Sequence, residues 1–343
     1  MASKIESFRS GRNDGYCSNL DVLRLLAVTA IVWIHSVETP TFKVAIIWCR
    51  FAVPAFISTS VWLLIWRHGG DSCGNLWNYA VRRAVRIYLL FLVWNGIYAA
   101  VRFLEHSFIK GGDTIRWSWE TFLLAGFTEQ LWFLPFLSAV TILTAGLMIM
   151  SVRLALPTLL LAVLLPTTGI YLAMWPSPVN MNIDAHPATY WIGLCWGAIP
   201  AALMVFGILP FDNLRITEPV RLGLLSLMFA IAIPLLWLSM DSPRFLTLLH
   251  NAAGVLLVAG AVLGPRSAFA NEMLRALGSL ALPVYLIHVL IVHAIQALGH
   301  RIAHIPVSSA FDLLVFMSGL VCSGMAAWFL LKEPHVKWLV SVR

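Results

Sequence analysis

Residues 19–37 read NLDVLRLLAVTAIVWIHSV, an apolar stretch that decides what kind of fold the chain adopts. A membrane-spanning helix needs about 20 mostly apolar residues, and this stretch meets that length. It nevertheless contains Asp21, Arg24 and His35. Ionisable groups within a span usually face the protein interior or a water-filled cavity, where they mark a functional site by default. The stretch therefore predicts a first span with a functional polar face.

The spacing of these three residues places them along one stripe of the helix. Asp21 and Arg24 are three residues apart, so they are neighbours on the helix surface and can pair. Arg24 and His35 are eleven residues apart, which brings the helix back to within roughly 20° of its starting face. The same spacing separates them by roughly 16 Å along the axis. Two simpler interpretations stay open: Arg24 snorkels to the interface, and His35 makes a structural hydrogen bond between helices.

The composition of the whole chain is that of a polytopic membrane protein. Hydrophobic residues make up 60% of the 343 residues and charged residues 11%, with a mean hydropathy of +0.84. Soluble domains carry about 25% charged residues. In lipid the backbone must satisfy its own hydrogen bonds, so the apolar runs are predicted to be helices. We expect an all-α membrane protein that forms a single domain over residues 1–343, because no linker or repeat divides it.

Ten apolar runs are long enough to cross a bilayer as helices. Proline, glycine and charged residues, which interrupt or end helices, mark the joints between them. The predicted spans are roughly 20–38, 45–66, 84–104, 130–150, 154–174, 189–209, 220–239, 246–264, 279–298 and 310–331.

Lysine and arginine are distributed unevenly between the two sides of this ten-span arrangement. Fifteen of the 23 lie in one set of alternate loops, five in the other set and three within spans. Cytoplasmic loops carry the excess of these residues. Both termini are therefore predicted to be cytoplasmic, as a segment over residues 1–19 and a tail over residues 332–343. Because no small-residue cleavage site follows the first run, we expect it to be retained rather than removed as a signal peptide.

The charge and the cysteines argue against other classes of protein. The net charge is +7, but the basic residues are spread over many short loops, so no nucleic-acid partner is predicted. The five cysteines are odd in number and form no CxxC pair, so we expect neither a metal site nor a disulfide framework. The oligomeric state stays open, because small-residue faces such as GVLLVAG at 254–260 are common in spans.

A second basic cluster lies in YAVRRAVRIYLLF, residues 79–91, where the third predicted span begins. It contains Arg82, Arg83 and Arg86. Arg83 and Arg86 are three residues apart, so we expect their guanidinium groups on one helix face. Planar guanidinium forks suit phosphate groups. The alternative is simple anchoring of the span at the cytoplasmic interface.

Two further stretches combine aromatic and polar residues. In EQLWFLPFL, residues 129–137, Glu129 and Trp132 precede the fourth predicted span on the non-cytoplasmic side. An interfacial aromatic anchor with a polar cap explains them equally well. In ALPVYLIHVLIVH, residues 281–293, Tyr285 and His288 are three apart and share a helix face. Hydrogen bonding between helices and a catalytic role are both open for them.

These pieces, in this order, resemble the acyltransferase 3 family of integral membrane proteins that O-acylate surface sugars in bacteria. The likeness rests on an arginine separated by ten residues from a histidine, here Arg24 and His35, and on Arg-x-x-Arg followed by Ile-Tyr, here RAVRIY. LWFL at 131–134 and the late LPVYLIHVLIVH also match, so the resemblance runs from about residue 19 to 294. The chain departs from the family pattern at Val61, Leu89 and Gln130, where glycine, proline and histidine are usual.

The resemblance implies an acyl-CoA donor, with acetyl-CoA favoured by analogy, and a bacterial cytoplasmic membrane as the location. The acceptor would be a hydroxyl of a surface or exported polysaccharide or of its lipid-linked precursor. His35 would act as a general base or as a transient acyl carrier. The remaining site residues would hold the nucleotide phosphates, or would have a supporting or acceptor-side role, with Asp21 as the partner of Arg24. The phosphate set is Arg24, Arg82, Arg83 and Arg86, and the supporting set is Asp21, Glu129, Trp132, Tyr285 and His288.

Two other functions fit ten spans with intramembrane charges. A secondary transporter is one, although transporters often show internal repeats with broken helices and no clear repeat is evident. A non-catalytic module for binding or export during polysaccharide assembly is the other. Release of CoA from acyl-CoA distinguishes the acyltransferase from both.

Overall fold

The computed structural model describes residues 18–68, 71–105, 121–128, 130–153, 253–262 and 272–341. Within these ranges all regular secondary structure is helical and there are no strands, as predicted for an all-α protein. The α-helices are α1 Ser18–Ser36, α2 Pro40–Cys49, α3 Ala52–His68, α4 Cys73–Glu105, α5 Phe133–Arg153, α6 Ala253–Val262, α7 Glu272–Ser279, α8 Ala281–Ala297 and α9 Ser309–Lys332. Short π-helical turns cover Thr121–Ala125 and Leu298–Ile302, and a 3₁₀ turn covers Lys337–Leu339.

Five of the described helices are long and apolar enough to cross a membrane. They are α1, α4, α5, α8 with its π-helical turn, and α9. The prediction of an all-helical membrane protein is therefore confirmed for this part of the chain. The predicted spans at 154–174, 189–209 and 220–239, and part of 246–264, lie outside the described residues, as do residues 1–17. The count of ten spans and the cytoplasmic termini stay predictions.

Helix α1, which contains the opening stretch, lies at the centre of the described bundle. It packs against α2, α3, α7, α8 and α9. Its first two turns bury Leu20 and Leu23 in an apolar cluster with Trp62 of α3 and with α6. Further along, Val28 and Val32 are fully enclosed in the main core. A polar stripe on this helix therefore faces other helices.

The predicted span 45–66 is interrupted just before a proline, so the prediction of one continuous helix there is wrong: the run breaks between α2 and α3, where Arg50 and Phe51 form a turn. The predicted span 279–298 corresponds to α8, which begins at Ala281, directly after the Leu280 turn that separates it from α7. A proline lies shortly after each of these two breaks: Pro54 is four residues after Arg50, and Pro283 is four residues after Ser279. Proline has no N–H to bond the carbonyl four residues earlier, and its ring clashes with that carbonyl.

Helix α4 begins well before the predicted span 84–104. It starts at Cys73, after Ser72, whose hydroxyl accepts a hydrogen bond from the Asn75 N–H at 3.4 Å. The hydropathy pattern does not predict the part of α4 before residue 84, because that part is polar. The helix has 33 residues and is about 50 Å long at 1.5 Å per residue. It is longer than the roughly 30 Å hydrocarbon core, so its polar, arginine-bearing end extends past the apolar region.

The turn that leads into α5 is held by an asparagine of α4. The Asn95 side chain donates to the Phe122 carbonyl at 2.9 Å and accepts from the Phe127 N–H at 2.7 Å. Gly126 takes a φ of +83°, and a Cβ there would lie 2.5 Å from the Leu131 Cβ. These contacts hold residues 121–128 close to α4 and to Leu131, and α5 begins at Phe133 rather than at the predicted 130.

The segment after α9 packs against the bundle. The Trp94 indole N–H of α4 donates to the Leu339 carbonyl at 2.7 Å, and Val340 is buried. The predicted tail 332–343 is thus attached to α4 in the part described, through residue 341.

Candidate active site

The charged end of the α1 stripe contains the ion pair that the spacing predicts. An Arg24 Nη atom lies 2.9 Å from Asp21 Oδ1. Asp21 is buried, and α7 approaches it so closely that a Cβ on Gly278 would lie 2.5 Å from the Asp21 Cβ. Glycine is therefore required for this contact between α7 and α1. The pair fixes the Arg24 side chain beside its own helix while leaving it partly accessible.

Arg83 of α4 adds a second guanidinium to this end of α1. Its Nη2 donates to the Ser60 hydroxyl of α3 at 2.6 Å, and it also bonds the Tyr79 side chain. Arg24 and Arg67 lie near enough for their charges to repel that of Arg83. Three helices thus bring three cations together, and such a cluster is stabilised by a bound anion. The sequence pattern did not single out Arg67 or Ser60, because neither belongs to a spaced motif on its own helix.

Arg82 and Arg86 differ from Arg83 in their surroundings. Both side chains are exposed. Neither makes a hydrogen bond or ion pair to any residue in the described ranges. The structure therefore brings Arg24 and Arg83 together, and it leaves Arg82 and Arg86 at the surface of the same end of α4.

Two histidines meet at the other end of the stripe. The His35 ring of α1 and the His288 ring of α8 have centroids 5.1 Å apart. His288 is completely buried, and its Nδ1 lies 2.8 Å from the Tyr285 carbonyl and 3.2 Å from the Val284 carbonyl. Because both partners are acceptors, Nδ1 carries the proton and Nε2 is left as an acceptor in the neutral ring. Within the described ranges Nε2 has no hydrogen-bond partner.

The parallel packing of α1 and α8 creates this histidine pair. At one end Asp21 meets Gly278 just before α8, and at the other end Glu38 Oε2 lies 3.0 Å from His300 Nε2. His293, one turn and a half beyond His288, is close enough for its charge to act on both rings. His293 is five residues from His288 and is exposed, yet it still belongs to the surroundings of the pair.

The connection that follows His35 is fixed by a buried carboxylate of α9. Asp312 is fully buried and accepts from the backbone N–H groups of Glu38 and Thr39 at 3.1 and 3.0 Å. It also accepts from the Thr39 hydroxyl. These bonds satisfy N–H groups at the start of α2 that have no intrahelical partner. The end of α1, and with it His35, is held by three hydrogen bonds that sequence spacing does not reveal.

Tyr285 joins the histidine pair to the turn before α5. Its ring centroid lies 6.0 Å from that of His288 and 5.3 Å from that of Phe133. Its hydroxyl donates a hydrogen bond to the Gln130 carbonyl. The Trp132 ring packs on Phe133 and Phe136, at 6.4 and 6.0 Å. Glu129, the remaining predicted site residue, lies outside the described residues.

The arrangement is a cationic end built around Arg24 and an imidazole pair built around His35, two residues of α1 that are roughly 16 Å apart along its axis. Guanidinium groups bind anions, and imidazole takes and gives protons near neutral pH. Within the described ranges, no group of three or more His, Cys, Asp and Glu side chains is placed to hold a metal ion.

Comparison with known proteins identifies the family. No curated protein and no solved structure matches the chain. The family model described as an acyltransferase domain, that of acyltransferase 3, matches residues 18–333, which include both ends of the α1 stripe and the described α-helices α1 to α9. The chain therefore belongs to the acyltransferase 3 family.

Proposed function

We propose that this protein is a membrane-bound O-acyltransferase that moves an acyl group, acetyl in the first instance, from cytosolic acyl-CoA to a sugar hydroxyl. The acceptor is a surface or exported polysaccharide or its lipid-linked precursor, and the location is the bacterial cytoplasmic membrane. The observation that carries the proposal is the His35–His288 pair, whose His35 shares the α1 stripe with Arg24, in a chain of an acyltransferase family.

The arginine end is the site for the nucleotide of the donor. Arg24 and Arg83 are partly buried and already oriented by Asp21 and Ser60, so they can bind phosphate with little further loss of side-chain freedom. Arg82 and Arg86 are exposed beside them and supply further guanidinium groups. The pantetheine arm then runs along α1 and carries the thioester toward His35.

At the histidine end, His35 acts directly on the reacting atoms. As a general base it takes the proton of the acceptor hydroxyl while that oxygen attacks the thioester carbonyl carbon. The C–S bond breaks, and the leaving CoA thiolate receives the proton from the His35 imidazolium. Alternatively a His35 nitrogen attacks the thioester carbonyl carbon, the C–S bond breaks, and the CoA thiolate leaves with the proton of the acyl-imidazolium. The acceptor hydroxyl then attacks the acyl carbon, the C–N bond breaks, and the freed His35 nitrogen takes the hydroxyl proton.

His288 has a supporting role in either route. Its unpaired Nε2 can accept a hydrogen bond from the N–H of the His35 ring, which selects one tautomer and leaves the other His35 nitrogen free to react. Tyr285 holds His288 against the turn before α5, and Trp132 borders the side from which the acceptor approaches. Glu129 remains a candidate for an acceptor-side role from the sequence alone. Asp21 serves the donor end, because it pairs with Arg24.

Purified protein in lipid nanodiscs, supplied with radiolabelled acetyl-CoA, tests the proposal. We expect CoA release with the wild-type protein and a loss of about 10²–10⁴-fold with His35→Ala, the usual contribution of a positioned base. The matched control is His335→Ala, an exposed histidine in the C-terminal segment. Near-normal turnover in His35→Ala, or no CoA release by the wild type, overturns the proposal. Flux of a substrate without CoA release indicates a transporter.

A further inference from the structure

The corner between α3 and α4 contains an aromatic stack that joins the two helices. His68 is the last residue of α3, and Tyr79 lies in the second turn of α4. Their ring centroids are 3.7 Å apart and the ring planes are inclined by 30°. Stacking is a favourable arrangement of two aromatic rings, so each ring restricts the orientation of the other. The stack therefore fixes the Tyr79 side chain relative to the end of α3.

Asp71 holds the His68 ring of this stack. Its Oδ2 lies 2.8 Å from His68 Nδ1, and its backbone N–H donates to the His68 carbonyl at 3.0 Å. Because a carboxylate oxygen only accepts, Nδ1 of the imidazole is the donor. The bond to one ring nitrogen sets the direction in which the imidazole plane points. His68 thus keeps its face turned toward Tyr79.

The other side of the Tyr79 side chain meets the arginine cluster. Tyr79 and Arg83 are four residues apart, so they are neighbours on one face of α4, and their side chains are hydrogen-bonded. A guanidinium group only donates, so the Tyr79 oxygen accepts this bond and its own O–H proton is left to be donated. No residue in the described ranges accepts that proton. An anion bound by Arg83 is the acceptor that this geometry suits.

Arg83 also has donors to spare for an anion. The Ser60 hydroxyl takes one N–H at 2.6 Å and the Tyr79 oxygen takes another, whereas a guanidinium group has five. The charges of Arg24 and Arg67 act on the same place. Phosphate oxygens accept hydrogen bonds from both arginine and tyrosine side chains. A tyrosine hydroxyl beside this cluster therefore adds a neutral donor to a cationic phosphate site.

We infer that the Tyr79 hydroxyl binds a phosphate group of the acyl donor together with Arg83, and that His68, held by Asp71, is the positioning residue that keeps Tyr79 in place. The inference rests on the proposed function and adds three residues to its donor site. The arginine pattern does not indicate them, because that pattern is evident on α4 alone whereas the stack joins α4 to α3. Loss of the hydroxyl should therefore affect a donor that carries phosphate groups and spare one that does not.

Two donors that differ in their phosphates test this inference. Acetyl-CoA and S-acetylpantetheine, which has no phosphate group, are supplied to the purified full-length protein in nanodiscs, and thiol release is measured. Tyr79→Phe keeps the ring and its stack. We expect it to raise the KM for acetyl-CoA by about tenfold to a hundredfold, the effect of one hydrogen bond to a charged group, with kcat little changed. Its kcat/KM for S-acetylpantetheine should equal that of the wild type.

The positioning role of His68 has its own pair of variants. His68→Ala removes the stack, and we expect the KM for acetyl-CoA to rise about threefold to tenfold as the Tyr79 ring gains freedom. His68→Phe still offers a ring for stacking and should recover most of this loss. Equal rises in both variants, or no rise in His68→Ala, overturn the positioning role.

The matched control for Tyr79 is Tyr88→Phe, the same change on the same helix, where the hydroxyl donates to the Leu123 carbonyl at 3.0 Å. It should leave the use of both donors unchanged. An unaltered KM in Tyr79→Phe overturns the inference, as does an equal loss with both donors or a loss confined to kcat. Should the wild type use acetyl-CoA alone, the KM of Tyr79→Phe decides. Absence of thiol release from the wild type with either donor is a different result, because it overturns the proposed function.

Discussion

At the residue scale, Arg83 is defined by its partners: it bonds Ser60 of α3 and lies beside Arg24 and Arg67. We predict that Arg83→Ala raises the KM for acetyl-CoA by about tenfold to a hundredfold with kcat little changed, since a charge-assisted hydrogen bond contributes roughly twice a neutral one. Initial rates against acetyl-CoA concentration measure the effect. Added salt should weaken acetyl-CoA binding less in the variant than in the wild type, because the variant lacks the positive charge of Arg83 that salt would screen.

The control for Arg83 is Arg301→Ala, at the opposite end of the bundle, where Arg301 lies 3.5 Å from Glu105. That change should leave the KM for acetyl-CoA as it is. If Arg83→Ala alters only the amount of protein in the membrane, and the inserted protein has the normal KM, the arginine is an anchor and the phosphate role is contradicted.

His288 allows a second prediction at this scale, because its protonated Nδ1 and unpaired Nε2 give it one defined orientation. We predict that His288→Ala lowers kcat by about tenfold to a hundredfold, the effect of losing one hydrogen bond that orients His35, while the KM for acetyl-CoA stays unchanged. His288→Gln keeps an acceptor on a side chain of similar length and should recover part of kcat. Equal losses in both variants, or a rise in KM, argue for a structural role only.

At the element scale, the approach of α7 to α1 depends on one glycine. A Cβ at Gly278 would lie 2.5 Å from the Asp21 Cβ and 2.6 Å from its Cγ. We predict that Gly278→Ala displaces the Asp21–Arg24 pair, raises the KM for acetyl-CoA and destabilises the fold by about 1–3 kcal/mol. Tryptophan fluorescence during heating measures the stability, and the chain's 15 tryptophans give ample signal.

Gly146→Ala, inside α5, is the matched control, because a Cβ there meets nothing within 4 Å. Alanine favours the helix over glycine by about 1 kcal/mol, so this variant should be as stable as the wild type or more so. A Gly278→Ala protein that melts and binds acetyl-CoA like Gly146→Ala contradicts the close packing of α7 on α1.

At the scale of the whole molecule, the sequence predicts individual elements well and contacts between them poorly. Hydropathy and the eleven-residue spacing predict α1 and its stripe, because both depend on local helix geometry. The breaks before Pro54 and Pro283 could also have been predicted, since proline acts on the carbonyl four residues earlier. The contact between His35 and His288 joins residues that are 253 positions apart in the chain. The hydrogen bonds that Thr39 donates to Asp312 join residues that are 273 positions apart. No local pattern encodes such a pairing.

The orientation of the chain in the membrane links the charge distribution to the proposed function. The proposed donor, acyl-CoA, is cytosolic, so the proposed function requires the first turns of α4, which carry Arg82, Arg83 and Arg86, to face the cytoplasm. The excess of fifteen lysines and arginines over five predicts that this end, and both termini, lie on the cytoplasmic side. The prediction from the sequence and the requirement of the chemistry therefore agree, and one experiment tests both.

We predict that green fluorescent protein fused after Arg343, or after Gly70 just before α4, is fluorescent, because it folds in the cytoplasm. Alkaline phosphatase, which needs the oxidising side for its disulfides, should be inactive at both positions and active when fused after Gly112, in the predicted external loop. Matched fusions at each position control for expression. Active phosphatase at Arg343 contradicts a cytoplasmic C-terminus, and active phosphatase at Gly70 places the arginines away from acyl-CoA and contradicts the proposed donor site.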